Sequence, residues 1–187
     1  MFPVSKQKTV MVMELKSQDS LIAVAIWSLQ NDKKVMSIRE LAAWLGVSQG
    51  EISKGAKRLI GAGLLVDRGG QWHPQVNALL EWLSYGVRYA YPIKQSGFGR
   101  GVPTAWNCPH IHSELVAPVP AYVWSRPGGE VEGVIIEPIH PKVPQSAIDD
   151  LGTYQVMALV DAIRMGKPRE LAIARKELKA LLEGIYE

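Results

Sequence analysis

The stretch Ser37–Pro74, SIRELAAWLGVSQGEISKGAKRLIGAGLLVDRGGQWHP, decides the fold. Ser37 with Glu40 three residues on predicts a capping box, in which the serine oxygen accepts a backbone N–H and the glutamate reaches back. Ile38, Leu41, Ala42 and Leu45 then recur at helical spacing and predict one apolar stripe on a helix of about two turns. Gly46 ends that helix, because glycine readily takes the left-handed conformation of a tight turn. Val47 supplies an apolar plug, and Ser48 with Glu51 predicts a second capping box. Two capped helices joined by a glycine turn outline a helix-turn-helix.

The second of these helices carries the expected chemistry. Ile52, Ala56, Leu59 and Ile60 form its inward stripe, which leaves Gly50, Lys54, Lys57, Arg58 and Gly61 facing outward. An outward face that is small and basic suits a DNA major groove. Ser48 and Gln49 stand at the helix N-terminus, where free N–H groups and the helix dipole favour a phosphate. Lys54, Lys57 and Arg58 are expected to contact phosphates, and Gln49, Ser53 or Lys54 to reach base edges. Glu51 either serves the cap or accepts from a cytosine amine. Leu64-Leu65-Val66, the turn Asp67-Arg68-Gly69-Gly70 and Gln71-Trp72-His73 then predict a hairpin, the wing of a winged helix. Arg68 near its tip is expected to reach a minor groove or a backbone phosphate.

Outward from this unit, Leu21–Trp27 is apolar on every side and predicts a buried helix, capped by Ser17 or Asp19. That run is too short to span a bilayer. The hydrophobic share of 47% and charged share of 21% exclude wholesale disorder. A single cysteine, Cys108, excludes an intramolecular disulfide framework, and with no signal-peptide pattern at the start it predicts a cytoplasmic protein without a membrane anchor. Residues 1–85 carry ten Lys/Arg against seven Asp/Glu, whereas residues 86–187 carry eleven of each. The excess positive charge of the chain therefore lies in the first half, which leans toward a polyanion there.

Ten of the twelve prolines follow Tyr91. Among them VRYAYPI, VPAYVW and EVEGVIIEP (87–93, 119–124 and 130–138) predict short strands. Two helices, split at Gly166-Lys167-Pro168, are expected to close the chain. Leu171, Ala174, Leu178 and Leu181 form a seam on the last one, for a partner helix or for its own domain. The expected architecture is α+β and mainly helical: a winged helix-turn-helix domain at 1–85, with a linking helix at 75–85, and a small domain of short strands and two terminal helices at 86–187.

Several stretches also match a known family pattern: Leu15–Asp19, Gly86–Pro92, Arg100–Ala105, and Leu159–Arg164 running into Pro168–Glu170. In these the chain resembles the MarR-like, winged-helix transcriptional regulators of bacteria. The resemblance implies operator binding, and kinship with antitoxin repressors implies a cognate protein partner. Asn107–His112 departs from the pattern, which has small residues, proline and leucine there.

Other chemistry is weaker. Cys108, His110 and His112 are soft ligands close together, but structural zinc needs four ligands at wider spacing, so a surface loop is the better reading. Cys108 has no identifiable activating acid for nucleophilic work. Ser96–Gly101 imitates a phosphate loop, yet Val102-Pro103 follows where a helix would be required, so a flexible connection is expected. Trp72, Trp82, Tyr85, Tyr89, Tyr91, Trp106, Tyr122 and Trp124 are read as core rather than as a base-stacking surface. The expectation is a homodimeric regulator of double-stranded DNA, not an enzyme, with no metal and no cofactor. The alternative is an antitoxin-like protein that neutralises a partner enzyme through residues 86–187.

Overall fold

Helix α1 (Ser17–Asn31) arises from the run that is apolar on every side, and residues Asp19–Leu29 are all buried. This computed structural model describes residues 14–111 and 115–184. The N-cap of α1 is Lys16, whose N–H donates to Asp19 Oδ2 at 2.8 Å, so Asp19 closes the helix from its third position and Ser17 lies inside it. Both halves of the chain clasp α1. Trp27 Nε1 donates to the Leu182 carbonyl at 3.2 Å, and Ser28 Oγ to Asp150 Oδ2 at 2.6 Å.

Helix α2 (Ile38–Leu45) has the expected capping box, Glu40 N–H to Ser37 Oγ at 3.2 Å and Ser37 N–H to Glu40 Oε2 at 2.8 Å. Gly46 ends it at φ 62°. Leu41, Ala42 and Leu45 are buried, but Ile38 stays 38% exposed at the rim of a groove. Helix α3 (Gln49–Gly61) starts at Ser48, whose Oγ accepts from Glu51 N–H at 3.1 Å. Glu51 does not complete a second capping box: Gln18 Nε2 donates to its carboxylate at 2.6 Å instead. Strands β1 (Leu65–Arg68) and β2 (Gln71–Pro74) pair antiparallel around Gly69 and Gly70, both at positive φ. That is the conformation a two-residue hairpin turn demands.

The linking helix is longer than expected. It runs through α4 (Val76–Glu81), a π-helical turn at Trp82–Gly86 and α5 (Val87–Ala90). Residues 87–90 are thus helical rather than extended, because Val87 joins Leu79 and Leu83 on one fully buried line. Gly86 suits the π turn, since a Cβ there would overlap the Trp82 ring. The boundary expected near residue 85 falls inside this turn.

Strands β3 (Gln95–Pro103), β4 (Ala121–Ser125) and β5 (Val131–Ile136) pair each with the other two, β3 antiparallel to both and β4 parallel to β5. The stretch Ser96–Gly101, expected as a flexible connection, is therefore part of β3. Gly101 serves close backbone approach: a Cβ on it would overlap the Trp124 carbonyl oxygen. A short helix α6 (Val143–Asp149) precedes the two expected terminal helices, α7 (Leu151–Met165) and α8 (Pro168–Leu182). Leu171, Ala174 and Leu178 of the α8 seam are buried within the chain itself, with Leu182 rather than Leu181 as the fourth buried member.

The result is a mainly helical α+β protein in which buried residues from Leu21 to Leu182 form one hydrophobic cluster. Among the described residues no helix is long and apolar enough to cross a membrane.

Candidate nucleic-acid interface

The inward face of α3 is fixed first. Ile52, Ala56 and Leu59 are fully buried, and Gly55 lies so close to α1 that a Cβ on it would stand 2.7 Å from Ile22 Cδ1. Arg58 belongs to this inward face and not to the outward one. Its Nε and Nη2 donate to the two carboxylate oxygens of Asp19, each at 2.7 Å, and the residue is buried. The expectation that Arg58 contacts phosphate is therefore corrected. Helical rotation puts its Cα near that of Lys54, but the long stem lets the guanidinium fold back onto α1. Hydrogen bonding to Asp19 raises its already high pKa further.

What remains outward is narrower and cleaner. Ser48, Gln49, Gly50, Lys54, Lys57 and Gly61 are exposed, and Ser53 is half-buried among them. The N–H groups of Gln49 and Gly50 have no acceptor within the helix, as at any helix start. Carboxylates near this face are each engaged locally. Glu51 accepts from Gln18, and Lys54 Nζ is 3.9 Å from it, too long for a strong pair. The Gln18 bond, with Lys16, Lys54 and Arg58 nearby, holds Glu51 below the usual carboxylate range. Glu40 is taken by Ser37, and Asp67 Oδ1 by the Gly70 N–H at 2.8 Å.

Arg68 is exposed beside the hairpin turn, opposite Gln71. The hairpin is tied back to α1 by Gln30, whose Nε2 donates to the Trp72 carbonyl at 2.8 Å and lies 3.0 Å from His73 Nδ1. Between hairpin and helices runs a groove of about 330 Å³, walled by Ile26, Leu29, Met36, Ile38, Leu41 and Trp72. One exposed cation of the helix-turn-helix has no part in the sequence expectations. Arg39 is exposed in the first turn of α2, and its position directly after the Ser37-Ile38 start is the signal that would have found it.

Other sequence candidates do not assemble. Cys108 is buried and His110 exposed, while His112 lies outside the described residues. Among the described residues no group of three His, Cys, Asp or Glu is placed to hold a metal ion. Burial pushes the Cys108 thiol up to about 11. Of the aromatic residues, Trp124 is fully buried and donates to Asp161 Oδ2, whereas Tyr85 and Tyr89 stand exposed.

Comparison with family models, with curated proteins and with solved structures finds no match for this chain.

Proposed function

We propose that the chain binds double-stranded DNA through a winged helix-turn-helix made of α2, α3 and the β1–β2 hairpin, and that it acts as a transcriptional regulator. The observation that carries this reading is the outward face of α3. Lys54 and Lys57 stand exposed beside the small residues Gly50 and Ser53, on a helix whose other side is clamped to α1 by Arg58 and Asp19. A rigid helix with a low, basic outer face can approach base edges while its lysines neutralise phosphates. Ser48, Gln49 and Gly50 lead into the groove, Arg39 and Arg68 flank it, and a homodimer would read a pseudo-palindromic site.

The test is fluorescence anisotropy on a random-sequence duplex and on genomic fragments selected by the protein, at several salt concentrations. Replacing Lys54 and Lys57 together by alanine should weaken binding about tenfold or more and flatten the salt dependence by about 0.9 per lost phosphate contact. The melting transition should not move. Unchanged affinity would overturn the reading.

A second reading has one observation in its favour. Tyr85 and Tyr89 are 58% and 78% exposed on the linking helix, with Arg175 over the Tyr85 ring at 4.2 Å and Arg88 over the Tyr89 ring at 5.4 Å. Exposed tyrosines beside arginines are the composition of protein interfaces. They support a cognate protein partner, as in an antitoxin, alongside DNA binding. Loss of a co-purifying protein on replacing both tyrosines by serine would establish it.

A further inference from the structure

Lys142 belongs to the C-terminal half, at the residue before α6, yet its side chain lies across the turn between α2 and α3. A Cβ placed on Gly46 would stand 3.3 Å from Lys142 Cδ and 3.4 Å from both Cε and Nζ. The contact is specific to a glycine at that position, because a side chain there would push the lysine away and strain a backbone at φ 62°. Helix α6, which Lys142 directly precedes, packs against α2, so an interface between the two halves brings the lysine to this turn. Gly46 is two residues ahead of Ser48, where α3 begins. Lys142 is exposed, and its neighbour His140, half-buried, is kept below its ordinary pKa by burial and by the lysine charge. No carboxylate lies within ion-pair distance of Lys142 among the described residues, whereas Lys34 and Lys54 each have one.

We propose that Lys142 is a phosphate contact of the nucleic-acid interface, supplied by the C-terminal half to the flank of the α2–α3 turn, so that both halves engage one duplex. The inference rests on the DNA-binding reading and extends it to a residue far from the helix-turn-helix in sequence. A compact ammonium on a flexible stem suits a phosphate, which takes charge from any direction and carries no base information. The competing role is internal: a cation at the end of α2 also favours the negative pole of that helix. The two roles differ in their dependence on salt, since only a phosphate contact releases counterions.

The experiment compares Lys142→Gln, Lys142→Arg and the Lys54→Ala/Lys57→Ala double variant on the same random-sequence duplex, measuring affinity against salt concentration together with thermal melting. A phosphate contact predicts that Lys142→Gln weakens binding several-fold and reduces the salt slope by about 0.9, that Lys142→Arg retains both, and that melting is unchanged. If Lys142→Gln leaves affinity or slope as in the parent while the double variant loses binding, the proposal is overturned and Lys142 only braces the turn. If the double variant binds as well as the parent, DNA recognition by α3 fails, and the Lys142 contact fails with it.

Discussion

Each half of the molecule buries one aspartate–arginine pair, and the two pairs are built differently. Asp19 and Arg58 come from separate helices, α1 and α3, and pair both carboxylate oxygens with two of the three guanidinium nitrogens. Asp161 and Arg164 sit one turn apart on α7 and share a single 2.7 Å bond. The remaining capacity of the second pair goes elsewhere. Asp161 Oδ2 accepts from Trp124 Nε1 and Thr104 Oγ1, and Arg164 donates to the carbonyls of Tyr91, Pro92 and Glu137. Burial pushes the Asp161 carboxyl up, against the downward pull of Arg164, Trp124 and Thr104. The first pair orients one helix against another. The second holds the end of the linking helix, the turn that follows β3, β4 itself and the exit of β5 to one helix.

If that contrast is right, the second pair is the more costly to break. Asp161→Ala would leave a buried guanidinium, an indole N–H and a hydroxyl without their acceptor, and should lower stability by about 3–5 kcal/mol in denaturant titration. Arg58→Ala strips only one partner and should cost about 3 kcal/mol, with DNA affinity lost as α3 loosens. A paired replacement, Asp19→Leu with Arg58→Met, sharpens the point. Apolar residues of similar size should restore that stability except for about 1 kcal/mol, since Asp19→Leu also removes the carboxylate that accepts the Lys16 N–H at the start of α1. A double variant as unstable as Arg58→Ala would show that the charge pair itself, and not the avoided lone charge, holds α3.

Gln30→Ala probes the lighter fastening of the hairpin. Losing the bond to Trp72 should cost about 0.5–1.5 kcal/mol locally and speed amide exchange in β1 and β2, leaving the C-terminal half untouched. Equal exchange throughout would mean that the hairpin needs no such tie. The smallest effect concerns Cys108. Its folded thiol, raised from the ordinary 9.0 to about 11, keeps a proton that the unfolded chain releases. Stability from this group is therefore complete below about pH 9 and is lost as pH rises toward 11. At pH 8 an alkylating reagent should modify Cys108 only as fast as the chain unfolds, and rapid modification of the native protein would contradict its burial.

The same contrast explains what was legible in the sequence. The caps at Ser37 and Ser48, the stop at Gly46 and the turn at Gly69-Gly70 obey rules that span three or four residues, and they stand where expected. Arg58 was misread because its partner lies 39 residues away, beyond any local rule. Val87–Ala90 carries strand-forming residue types, yet burial of Val87 beside Leu83 makes it helical. The glycines of Ser96–Gly101 read as a loop, yet the segment is strand, and Gly101 lets β3 and β4 meet at backbone contact. At the candidate interface, Gln49, Lys54 and Lys57 were visible from periodicity. Lys142 was not, because only the packing of α6 on α2 brings it there.

The π turn at Trp82–Gly86 has a consequence for how the chain tolerates change. An extra residue is accommodated in that turn without breaking the rod, because a π turn takes one more residue through the same rotation than an α turn does. Removing one residue there would leave an ordinary helix of nearly the same length. It would also keep the segments on either side at nearly the same angle about the axis, leaving the Tyr91 hydroxyl on the Leu15 carbonyl to which it donates. The turn thus works as slack in the rod: a one-residue deletion there would leave what it connects aligned, whereas the same deletion within α4 or α5 would turn everything after it by about 100°.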